Sequence, residues 1–168
     1  MKVIFLLFAL VGASTLFSQN LNSSQLIELS EKSLGEVEEV LAKRNWYFYS
    51  GSDETDDKLG NVRFVFDKPN FVEGSMADYF LVFYFSEKQN AHYIELLFGS
   101  DATYENITKQ LKTLKFDLES SNTKFGNIVK TYKGSGQIVE VTIPPKIENN
   151  TKPYRFMFAT KSNYRRLN

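Results

Sequence analysis

The residue types that most often carry catalysis are sparse in this chain. Of its 168 residues one is histidine, His92, and none is cysteine. Zinc centres built from His and Cys are thereby ruled out. A Ser-His-Asp arrangement would have to recruit His92, which begins a segment of strand character, and no serine stands in a nucleophile-elbow motif. Gly134-Ser135-Gly136 separates two strand-like segments and reads as a hairpin turn rather than a phosphate-cradling loop. Hard oxygen donors cluster once, in Asp53-Glu54-Thr55-Asp56-Asp57. Calcium needs several oxygens converging together, and Asp53, Glu54, Asp56 and Asp57 could offer them. The segment lacks the spacing and internal glycine of an EF-hand loop, so a solvated hairpin loop is the simpler reading. No cofactor is implied. Paired-carboxylate catalysis stays open, although no pair sits in an evidently rigid setting.

Aromatic content is the more distinctive signal. Nine Tyr and fifteen Phe help bring aromatic residues to 15% of the chain. Alternate residues of a strand face opposite sides. In the segment from Asp78 to Phe85, Phe80, Val82 and Tyr84 therefore share one face, and Tyr79, Leu81, Phe83 and Phe85 the other. Both faces are apolar, whereas helices covering one face of an antiparallel sheet normally leave the far face polar. Neighbouring strands add Tyr47, Tyr49, Val65, Tyr93 and Leu97 to a common side. Tyr47, Tyr49, Val65, Tyr79, Leu81, Phe83, Phe85 and Tyr93 are the candidate binding residues, since aromatic anchors dominate binding energetics and exposed apolar patches mark interaction sites. Burial of this second face inside the protein is the competing expectation, and a register slip of one residue would exchange the faces.

The elements that would position these residues follow from local patterns. Ser33-Leu34-Gly35-Glu36 has the form of a capping box, and Val37, Val40 and Leu41 continue at helical spacing, predicting a helix over about 34–44 after a short one over 25–32. Strands are expected over 46–50, 61–67, 78–85 and 91–98, an antiparallel meander. The order then recurs: Thr103 is placed as cap of a helix carrying Ile107, Leu111 and Leu114, followed by strands over 115–120, 127–133, 137–143 and 154–161. Leu59-Gly60-Asn61-Val62 lies over Phe125-Gly126-Asn127-Ile128, Phe66 over Tyr132, and Trp46, Phe48 and Ser50 over Phe116, Leu118 and Ser120. The expected fold class is α+β: two tandem helix-plus-four-strand antiparallel repeats, about 23–99 and 100–162, with helices on one face of the sheet and a short, solvated basic tail over 163–168.

The first residues predict the compartment. Met1-Lys2 is a short positive start, Val3 to Val11 is uncharged and apolar, and small then polar residues follow to Asn20. This is the signature of a cleaved export signal, here residues 1–19, and the run is too short to span a bilayer. Residues 20–168 then form one exported domain, periplasmic or extracellular, without an integral membrane segment. Lys plus Arg equal Asp plus Glu at 20 each, so no net field draws nucleic acid. The Phe17-Ser18-Gln19 exit, the Lys/Asn/Tyr/Phe-rich composition and the helix Glu36-Val37-Glu38-Glu39-Val40-Leu41-Ala42 resemble small secreted proteins of flavobacteria and their relatives. At fold level the repeated unit is similar to the beta-lactamase inhibitory protein and to the outer-membrane assembly lipoproteins of the SmpA/OmlA family. That resemblance implies binding or scaffolding. The chain departs from both in having no cysteine, where the first carries disulfides and the second a lipidated cysteine. The expected function is a non-catalytic module binding a protein partner or a second copy of itself. The alternatives are a small-molecule or carbohydrate binding protein, with Trp46 and tyrosines stacking on a ring, or a carboxylate-based hydrolase or lyase.

Overall fold

The computed structural model describes residues 21–146 and 153–167; the expected export signal lies outside them. Two short helices come first. In α1 (Ser23–Leu29) the Asn22 side chain accepts from the Gln25 amide at 2.9 Å, and the Gln25 side chain accepts from the Asn22 amide at 3.0 Å. In α2 (Leu34–Ala42) the Glu36 carboxylate accepts from both the amide and the hydroxyl of Ser33, at 2.9 and 2.7 Å. These bonds hold the Glu36 carboxyl below its ordinary range, the Ser33 hydroxyl contributing most. A meander of β1 (Trp46–Ser52), β2 (Gly60–Phe66), β3 (Tyr79–Ser86) and β4 (Ala91–Phe98) follows.

Helix α3 (Asp101–Thr113) starts one turn earlier than its expected cap. Ser100, not Thr103, is the N-cap: the Ser100 Oγ accepts from the Thr103 amide at 3.2 Å, and the Thr103 hydroxyl is paired with Tyr79 Oη at 2.9 Å. Strands β5 (Asp117–Lys124), β6 (Asn127–Gly134), β7 (Gln137–Ile143) and β8 (Tyr154–Thr160) form the second meander. β5 begins two residues later than expected because Lys115 turns left-handed at φ 61° and the Phe116 amide still bonds back to Leu111. The expected basic tail is instead α4 (Lys161–Leu167), which lies on β4, β7 and β8. Tyr164 Oη donates to Glu140 at 3.2 Å and Arg166 to the Asn90 carbonyl at 2.7 Å.

All eight strands join one antiparallel sheet in the order β1-β2-β3-β4-β8-β7-β6-β5. The two meanders therefore meet along β4 and β8, and β1 and β5 are the outer strands. Each outer strand carries one extra residue. Phe48 faces Phe64 and Ser50 faces Arg63, leaving Tyr49 between; Leu118 faces Tyr132 and Ser120 faces Thr131, leaving Glu119 between. Counted from these bulges, Tyr132 takes the position of Phe64, not of Phe66 as the sequence comparison had it. The β5–β6 ladder runs on to Lys124 and Asn127, whereas β1–β2 stops at Ser52 and Asn61, and the two-pair difference displaces the Gly-Asn match.

Helices α1, α2 and α3 cover one face. Leu26, Leu29, Val37, Leu41, Ile107 and Leu111 are buried against Trp46, Phe64, Leu81, Ile94, Leu96, Phe98, Phe156 and Phe158. Full burial of such side chains contributes about 1.5–3 kcal/mol each. Helices of seven and nine residues are unstable alone in water, so packing on the sheet is what holds α1 and α2.

Candidate functional site

The register distributes the eight candidate binding residues over both faces. Tyr79, Leu81, Phe83 and Phe85 lie on the helix side, where Leu81 is 0% and Phe83 3% exposed. Tyr47, Tyr49, Val65 and Tyr93 lie opposite. The rows Tyr47-Val65-Phe80-Leu97-Arg155 and Arg63-Val82-Glu95-Met157-Glu140 run across the sheet on that far side. The common surface expected from the sequence is thus divided: Tyr79, Leu81, Phe83 and Phe85 are core or its margin, whereas Tyr47, Tyr49, Val65 and Tyr93 share the far side with Leu97, expected there with them, and with Phe80, Val82 and Tyr84, expected on the opposite face.

Two pieces of chain cover parts of the far face. α4 lies over one end, where Ala91, Ile138 and Ala159 are buried although they are outside the helix-side core. At the other end the connection over 67–78 sends Phe71 inward. Its ring meets Tyr49 edge-on at 4.8 Å and Phe80 edge-on at 5.4 Å. Between the two coverings an open cleft of about 340 Å3 remains. Phe80, Val82 and Leu97 line it from β3 and β4, Tyr49 and Phe71 form one wall, and Arg63 and Arg155 supply its charge.

A buried polar group borders this cleft. Glu95 is 9% exposed, and its nearest cation, Arg155, stands at 3.8 Å. Burial pushes the Glu95 carboxyl above its ordinary range; Arg155 opposes that shift, Glu140 reinforces it, and Tyr84 and Arg63 oppose it. One carboxylate oxygen of Glu95 has no hydrogen-bond partner. Tyr84 and Tyr93 stack at 4.8 Å, and burial first, then the Glu95 charge, raises both phenols. Local sequence patterns do not reveal this cluster. Glu95 and Arg155 stand in sequence as single charges among apolar residues, which is the only local signal, and the β4–β8 pairing is what makes them neighbours.

His92 lies on the helix side, stacked on Phe83 at 5.1 Å, with its Nε2 unpartnered. Burial holds its imidazole below the ordinary range, against a hydrogen bond to the Ser30 backbone. The acidic loop is tied to the β3–β4 turn. The Glu54 carboxylate accepts from the Ser86 hydroxyl at 2.6 Å and the Glu87 amide at 2.7 Å, and Asp56 pairs with Lys88 at 2.6 Å. The Ser86 bond is the main reason the Glu54 carboxyl lies below its usual range. Asp53, Glu54, Asp56 and Asp57 form no group able to hold a metal ion among the described residues.

No family model matches the chain, and neither curated proteins nor solved structures give a match. Among the described residues no helix is long and apolar enough to cross a membrane.

Proposed function

We propose that this chain is an exported, non-catalytic binding protein that takes a small ligand with an apolar, ring- or chain-bearing body in the far-face cleft. The observation that carries this is the cleft itself: about 340 Å3, within the ~300–1,000 Å3 of small-molecule sites, with aromatic and aliphatic side chains flanked by a few charged groups. Its lining holds two arginines and no carboxylate, which suits recognition better than paired acid–base chemistry. Export rests on the charged start and apolar run of residues 1–19. The same reading takes the chain as a tandem repeat. Two four-strand meanders, each with a bulge in its outer strand at Tyr49 or Glu119, support it.

Ligand-observed NMR on the mature protein with small aryl and alkyl compounds tests the proposal. Hits are expected that disappear on joint Tyr49→Ala and Phe71→Ala substitution while the fold persists; hits indifferent to that pair would place binding elsewhere. A protein partner on the same face is the second reading, favoured by Val72 and Met76, which stand 70% and 90% exposed on the loop beside the cleft. Affinity capture from the cell envelope and medium should then yield one dominant protein, lost on Met76→Asp.

A further inference from the structure

Resting on the cleft as a ligand site, we propose that its ligand is a small amphipathic acid: an apolar body lying on Phe80, Val82 and Leu97, with its anionic end held by Arg63 and Arg155. The two arginines come from β2 and β8, on either side of the β3–β4 floor. With strands about 4.8 Å apart and Arg155 two residues along from the row of Arg63, their backbones stand roughly 16 Å from each other, and the two long side chains bracket the apolar floor between them.

Those cations are poorly neutralised from within the protein. The Arg63 side chain makes no ion pair or hydrogen bond among the described residues and acts on Glu95 only through its charge. Arg155 has only Glu95, at 3.8 Å, well beyond the ~2.7–2.9 Å of a charge-assisted hydrogen bond. A guanidinium presents five donors in a planar fork matched to carboxylate and phosphate oxygens, and here most of those donors are left for a ligand. Both arginines are exposed to solvent, so these donors are open to a ligand entering the cleft. The volume suits a single ring or short chain better than a two-chain lipid, so a free organic acid is the occupant.

Calorimetric titration of the mature protein with phenylbutyrate and decanoate, against their neutral counterparts phenylbutanol and decanol, tests this directly. The acids are expected to bind on the order of tenfold more tightly than the alcohols, the effect of one good charge-assisted contact. Arg63→Gln and Arg155→Gln should each shrink that preference toward equality. Equal affinity of acids and alcohols for the unsubstituted chain would overturn the anion assignment and leave the cleft an apolar site. Absence of binding by all four, confirmed by unchanged amide shifts at Phe80 and Leu97, would overturn the cleft as a ligand site and this proposal with it. The acid–alcohol comparison uses the native chain, so it holds even where an arginine variant unfolds.

Discussion

Gly60 is buried in β2 directly across from Phe85, and a Cβ placed there would stand only 2.3–2.8 Å from three atoms of the Phe85 ring. The glycine is a seat for the ring. Gly134 serves Phe116 in the same way, with a Cβ meeting the ring at 2.8 Å. Gly60→Ala is therefore expected to cost about 1–3 kcal/mol, the ordinary range for overpacking, with part of the loss recovered by adding Phe85→Leu; chemical denaturation measures both. Glu95 supplies a second residue-scale test. Its folded-state carboxyl is raised, chiefly by burial, so the unfolded chain ionises first and the contribution of this group to stability falls as pH rises from about 4.5 to the folded value, then levels. Glu95→Gln should be more stable than the parent at neutral pH, and the gain should vanish below that window. Melts across pH check the difference; a variant less stable at neutral pH would mean that the Arg155 contact outweighs desolvation. The sequence shows Glu95 only as one charge between Tyr93 and Leu97. Its burial depends on β8, and its raised carboxyl in part on the charge of Glu140 two strands away, neither of which a local pattern displays.

Strands were the legible elements. Ala91–Phe98 and Gln137–Ile143 have the bounds read from the sequence, because period-two alternation of bulky residues leaves few other solutions. Helix α2 was legible through Ser33 and Glu36. Helix α4 was not: Lys-Ser-Asn-Tyr-Arg-Arg-Leu has no apolar stripe, and its position comes from Tyr164 and Arg166 reaching Glu140 and Asn90. The face assignment failed for a related reason. Alternation sorts residues into two sets but does not say which set the helices cover, and in β3 both sets are apolar. Deleting residues 161–168 tests the role assigned to α4. Uncovering Ile138 alone is worth roughly 2 kcal/mol, so the thermal midpoint should fall by several degrees. Amide exchange should quicken around Ala91 and Ala159, whereas α1 and α2 should hardly respond.

At the scale of the molecule the seam between β4 and β8 decides how the halves behave. Sequence order predicts hairpin neighbours, and the chain's two meanders are each of that kind, but the seam joins strands separated by all of α3, β5, β6 and β7. Ile94, Leu96, Phe156 and Phe158 are fully buried along it beneath the helices. One cooperative unit is the consequence. Hydrogen exchange should find these four amides opening only with global unfolding, and β5, exposed along most of its length, exchanging early; a first half that exchanges independently of the second would contradict it. Among the described residues the sheet also ends in two unpaired borders, β1 and β5. A regular strand at such a border is a template on which further copies add, edge to edge, into a growing ribbon. The extra residues at Tyr49 and Glu119 interrupt the hydrogen-bond rhythm at both borders. An incoming strand therefore meets a break in the row of donors and acceptors at each border.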